Sequence, residues 1–165
     1  MEKISRKLSL SKNLVGIAGV YYTAAELTCL GYVALVTIRN TKAYDLLISK
    51  EDKRNILPLQ VKTRSKGGFR IVKIEDTKKT LFERELDRKI TCPFVLVDLK
   101  NESPEFFILT EKQMKELILK DWNFWENHHK HYKELRRTNV EIIFQLKETM
   151  ELLEDYRNKW ENLAL

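Results

Sequence analysis

Two short apolar stretches constrain this chain more than any other feature: Ala43-Tyr44-Asp45-Leu46-Leu47-Ile48 and Leu59-Gln60-Val61-Lys62-Thr63. Each has the length and aliphatic content of a buried strand. The polar run from Ser49 to Asn55 between them is of hairpin length, so antiparallel pairing is expected. Asp45 stands in the first where an aliphatic residue would pack better. Gln60 and Lys62 are two apart in the second, so their side chains leave the same face of a sheet. Antiparallel pairing lets Asp45 face both, gathering a carboxylate, an amide and an ammonium in one small volume. Such groups are costly among aliphatics unless they are paired or used.

That trio suits metal-assisted phosphodiester hydrolysis. A carboxylate with neutral oxygens fits Mg²⁺ (or Mn²⁺), a hard cation that keeps several waters. Asp45, the Gln60 amide oxygen and the Val61 carbonyl are the expected metal ligands, and the ion would activate a bound water and polarise the phosphoryl group. Lys62 would orient that water or stabilise charge developing on the phosphate. The spacing also admits a plain Asp–Lys ion pair across two strands, with Gln60 as a hydrogen-bonded neighbour.

Asp45 followed by Gln60-Val61-Lys62 resembles the Asp…(Asp/Glu/Gln)-x-Lys signature of the PD-(D/E)XK nuclease superfamily, in its Holliday-junction-resolvase-like and Mrr-like branches. Gly16-Ile17-Ala18-Gly19-Val20-Tyr21-Tyr22-Thr23-Ala24-Ala25-Glu26-Leu27, Phe106-Phe107-Ile108-Leu109 and Tyr156-Arg157-Asn158-Lys159-Trp160 extend the resemblance to small bacterial members of that group. It covers most of the chain and is specific over residues 16 to 66. It implies a restriction-endonuclease-like α/β core and a metal-dependent nuclease, with DNA as the expected substrate. Two positions depart from the pattern. Glutamine takes the place of the usual acid at position 60, and Val20 stands where many relatives carry a glutamate. Glu26, the single acid of this helix, is the accessory candidate, set against the plain reading of a solvated helical glutamate.

The formal charge is +6, and it is unevenly spread. Residues 62 to 89 hold ten basic and five acidic side chains, so the excess gathers beside the candidate site, as a polyanion binder needs. Just after Lys62, Thr63, Arg64 and Lys66 are the expected phosphate contacts, followed by Gly67-Gly68. The two cysteines, Cys29 and Cys92, have no metal-type spacing. No apolar run approaches a membrane span and no secretory segment is apparent, so a cytoplasmic protein without membrane partners is expected.

Along the chain, helical periodicity covers about Leu14 to Leu30, closed by Gly31. Strands are expected at Tyr32–Ile38, the two stretches above, Phe69–Ile74, Pro93–Leu99 and Phe106–Leu109. Residues 75 to 91 read as a loop plus a short helix lying over the site, anchored by Leu81, Phe82 and Leu86. Thr110-x-x-Gln113 is a capping box opening a helix to about Lys120. His128-His129-Lys130-His131 lacks a fourth ligand at a recognised zinc spacing, so a solvated or nucleic-acid-facing loop is expected there. Thr138-x-x-Glu141 reads as a second capping box, starting a helix to Trp160 whose Ile143, Leu146, Met150 and Leu153 form an a/d-like seam. That seam packs on the sheet or pairs two copies, which leaves a homodimer open.

The expectation is therefore one domain over 1–165, with a core at about 14–109 and a helical extension at about 110–165. Its mixed central sheet would be flanked by helices. The leading function is metal-dependent phosphodiester hydrolysis by a DNA endonuclease. The alternative is a catalytically degraded module of the same fold that binds nucleic acid or a protein partner without cleavage.

Overall fold

The structure, a computed structural model, describes residues 10–37, 44–52, 54–76, 79–128 and 138–163. The chain runs α1 (Lys12–Cys29), β1 (Tyr32–Val36), β2 (Leu46–Lys50), β3 (Leu57–Arg64), β4 (Phe69–Asp76), α2 (Lys79–Lys89), β5 (Phe94–Asp98), β6 (Glu105–Leu109), α3 (Glu111–His128), β7 (Thr138–Phe144) and α4 (Lys147–Leu153), then two short 3-10 turns. Five strands form a mixed sheet in the order β1-β2-β3-β5-β6. Only β3 and β5 are parallel neighbours within it. β4 and β7 pair antiparallel as a separate two-stranded sheet.

Strand alternation divides the core. On the α1 side of the main sheet, Leu46, Ile48, Leu59, Val61, Val95, Val97, Phe106 and Ile108 pack around Leu27 and Leu163. On the opposite side Phe94, Leu96, Phe107 and Leu109 meet Phe82 and Leu86 of α2, Met114, Leu117 and Ile118 of α3, and the β4–β7 pair. Residues beyond 109 thus supply much of the second core rather than an appendage.

Helix α1 starts under Ser11, whose hydroxyl accepts the Leu14 N–H at 3.3 Å. It ends before Gly31, at φ +84°, where a side chain would be strained. Its buried line is Val15, Gly19, Thr23 and Leu27, whereas Tyr22 and Leu30 are exposed. Gly19 lies directly on Thr63 of β3, where a Cβ would fall 1.8 Å from the Thr63 hydroxyl oxygen. Gly16 makes no such approach. At α3 the expected capping box forms in both directions. The Thr110 N–H donates to Gln113 Oε1 at 2.8 Å, and the Gln113 N–H to Thr110 Oγ1 at 3.2 Å.

Three expectations are corrected. Residues 138–160 are not one helix but strand β7, helix α4 and a 3-10 turn. Val140, Ile142 and Phe144 recur at period two, and Ile142 and Phe144 are buried against the core. The ladder with β4 and the β-branched content outweigh the capping pattern at Thr138. The a/d seam therefore does not form, and Leu153 and Met150 face this molecule's own core. Helix α3 also runs to His128, well past Lys120. Its Trp122 stacks on Trp125 and packs on Phe82, as a core anchor. Finally, Leu81 of α2 is exposed while Phe82 and Leu86 are buried. The turn expected at Arg39–Lys42, Ile38, Ala43 and the histidines 129 and 131 lie outside the described residues.

The terminal segment seals one sheet edge. Arg157 bridges to Phe107 of β6, the Asn158 N–H donates to the Phe106 carbonyl, and Asn162 Nδ2 reaches the Ile108 carbonyl at 2.8 Å. Asn158 takes φ +53°, a conformation its short amide side chain tolerates.

Candidate functional site

The site lies where β2 and β3 part. Their register runs from Ile48 opposite Leu57 to Leu46 opposite Leu59, and the Asp45 N–H adds one more bond to the Leu59 carbonyl. Beyond that point the chain bends at Asp45, and β3 continues alone on this edge. Its Val61 N–H would be left without a strand partner. The Asp45 carboxylate takes it instead, Oδ2 accepting from Val61 N at 2.8 Å and from Gln60 Nε2 at 2.6 Å. In a strand, a residue's N–H and C=O leave the same edge, so the Val61 carbonyl lies on the Asp45 side of β3.

On its other edge β3 pairs parallel with β5, Gln60 opposite Phe94 and Lys62 opposite Leu96. Lys62 therefore shares a face with Gln60 and stands beside buried aliphatic and aromatic side chains. Burial lowers its pKa below the ordinary 10.5, against the pull of Asp45 first and of Cys92 and Glu141 after it. A half-buried ammonium held at that cost, on the face where Gln60 meets Asp45, is a feature of working sites and of structural charge networks alike. The structure brings Asp45 onto Gln60 and Val61, with Lys62 on the same face as Gln60, where two consecutive strands part.

Other candidates fall elsewhere. Arg64, expected to contact phosphate, is buried, and its Nε donates to Asp98 Oδ2 at 2.7 Å. Its guanidinium lies 4.3 Å from the centre of the Phe69 ring, and Nη1 reaches Met150 Sδ of α4 at 3.3 Å. It is a structural cation, tying β3 to β5 and the C-terminal segment. Thr63 points to the α1 side, where its hydroxyl is buried against Gly19 without a hydrogen-bond partner. Lys66, in the bend after β3, is exposed and open to a phosphate. Glu26 is exposed on α1, off the buried line, and Val20 packs into the apolar cluster on that side of the sheet.

Two residues near Lys62 escaped the sequence reading. Cys92 precedes β5 beside Gln60, and burial pushes its thiol up to about 11. Pro93 at the start of a parallel neighbour was the available signal. Glu141 acts on Lys62 from β7, in an ion pair with Arg70, and reading β7 as a helix start hid it.

Among the described residues no three His, Cys, Asp or Glu side chains are arranged to hold a metal. Mg²⁺ does not call for such a group, being ordinarily held by one or two carboxylates plus substrate phosphates. Asp45 and the Val61 carbonyl are the oxygens that such a sparsely held ion would call on. An open depression of about 570 Å³ lined by Leu30, Gly31, Lys50, Glu51 and Asp52 lies toward the opposite end of β2. It holds none of these groups.

No protein-family model matches the chain, and no curated protein matches it. Among solved structures the chain is similar to a bacterial homing endonuclease, I-Ssp6803I, with a TM-score of 0.51 over 93% of each chain and 13% sequence identity. The likeness is one of fold. It agrees with the expected mixed α/β architecture, a central sheet flanked by helices with a C-terminal helical segment. Among the described residues no helix is long and apolar enough to cross a membrane.

Proposed function

We propose that the chain is a metal-dependent phosphodiesterase of the PD-(D/E)XK type acting on DNA. The observation that carries this reading is the meeting of Asp45, Gln60 and Lys62 on one face at the fork of β2 and β3. The fold shared with a homing endonuclease supports it. Asp45 and the Val61 carbonyl would hold Mg²⁺ or Mn²⁺, which when bound supplies charge stabilisation and a more acidic water. Lys62, on the face it shares with Gln60, would orient that water or hold charge on the phosphate. Its lowered pKa eases movement of a proton at Nζ. Exposed Lys66 would position the backbone of the nucleic acid.

Val20 in the apolar cluster and glutamine at position 60, two positions where the resemblance leads one to expect acids, favour one rival: a module of the same fold that binds DNA without cutting it. Nicking of supercoiled plasmid, with binding to a labelled duplex measured in parallel, separates the two. Cleavage that requires Mg²⁺ or Mn²⁺ and is lost in both Asp45→Ala and Lys62→Ala supports the enzyme. Binding without cleavage in all three proteins supports the module.

A further inference from the structure

Gln60 occupies a position where the metal-site reading calls for an oxygen ligand, yet its amide turns the other end to Asp45. At 2.6 Å from Asp45 Oδ2 stands Nε2. An ionised carboxylate dictates that orientation, since an amide oxygen at such a distance would repel it. Turning Oε1 toward an ion shared with Asp45 would break this charge-assisted bond, and the Val61 N–H already occupies the same oxygen at 2.8 Å. Oδ1 is then the carboxylate oxygen left for a cation.

The surrounding charge agrees. Lys62, two residues beyond Gln60 on the same face of β3, adds a positive charge that opposes uptake of a dication. Helix α1 contributes Val20, packed among aliphatic side chains, and an exposed Glu26. Among the described residues no further acid completes a three-ligand group. A phosphodiester supplies what is missing, an anionic oxygen and a net negative charge.

We infer that Gln60 is a positioning donor for Asp45 rather than a metal ligand, and that the site takes up its divalent cation only together with a phosphate oxygen of the nucleic acid. The second half rests on the phosphodiesterase reading, whereas the first does not.

The test is uptake of Mn²⁺, read from the loss of the free-ion electron paramagnetic resonance signal, for wild type, Asp45→Ala and Gln60→Glu, with and without a short DNA duplex. Wild type is expected to take up Mn²⁺ only with the duplex present, and Asp45→Ala in neither case. Gln60→Glu replaces the donor by a second carboxylate, and should bind Mn²⁺ alone ~10-fold or more tightly than wild type does. Uptake by wild type without duplex, through Asp45 and as tight as in Gln60→Glu, overturns the inference and leaves the phosphodiesterase reading standing. A wild type that binds neither duplex nor duplex-linked Mn²⁺, beside a Gln60→Glu that binds the ion alone, overturns the phosphodiesterase reading and the substrate-completed site with it. The wild-type arms need no variant to fold.

Discussion

Removing the Arg64 guanidinium should unfold the protein far more readily than it weakens nucleic-acid binding. Arg64 and Asp98 are 8% and 4% exposed, so Arg64→Ala strands a carboxylate away from water. Deleting one partner of a buried pair typically costs about 3–5 kcal/mol. The whole stability of a domain is about 5–15 kcal/mol, so the loss is a large share of the total. Contacts with Phe69 and Met150 go as well. A paired replacement isolates the charge effect. Arg64→Met with Asp98→Asn removes both charges but keeps an amide oxygen for the Lys100 N–H, which Asp98 Oδ1 accepts at 3.0 Å. That double variant should recover part of the loss, because it strands a neutral amide rather than a buried charge. Urea unfolding of the three proteins measures the stabilities, and duplex binding is measured on the folded double variant. An Arg64→Ala protein within about 1 kcal/mol of wild type, or a folded double variant that has lost duplex binding, would refute the structural assignment of Arg64.

Gly19→Ala, ordinarily favourable in a helix by about 0.5–1 kcal/mol, should here destabilise by about 1–3 kcal/mol through overpacking on Thr63. Thr63→Ala should relieve it only in part, since the Thr63 Cβ itself lies 2.8 Å from the added atom; full additivity in a double-mutant cycle would argue against the close approach. Burial lowers the Lys62 pKa in the folded chain, so the unfolded chain holds that proton more tightly and stability rises as pH climbs through the folded value toward 10.5. Lys62→Met should flatten that rise and raise the thermal midpoint at neutral pH, and an unchanged pH profile would contradict it. Thiol labelling of the native protein should be fast at exposed Cys29 and slow at Cys92, whose thiol is buried and pushed up to about 11; two equally fast thiols would show the start of β5 to be open.

The meeting of Asp45 and Gln60 was legible because its signal is local: a carboxylate in an apolar stretch, then a glutamine and lysine at a spacing of two. Alternation alone puts Gln60 and Lys62 on one face. The same rule separates Thr63 from them, and its placement beneath α1 follows from which face of β3 the helix covers. Arg64 shares the Lys62 face, and its burial depends on Asp98 arriving in register on a parallel neighbour, which no local pattern announces. The C-terminal segment misled for a related reason. Residues 138–144 carry both a capping box and β-branched alternation, and pairing with β4 across some seventy residues of sequence decides between them. Cys92 and Glu141 reach Lys62 only through those non-local pairings.

The most direct measurement is plasmid nicking by wild type and Asp45→Asn in Mg²⁺ or Mn²⁺, with the unfolding midpoints of both recorded. Asparagine keeps the shape of Asp45 and an oxygen for the Val61 N–H while removing the charge that the metal requires. The account predicts metal-dependent nicking by wild type and none by a variant that remains folded. Equal nicking by the two proteins would contradict it and move the chemistry away from the fork of β2 and β3.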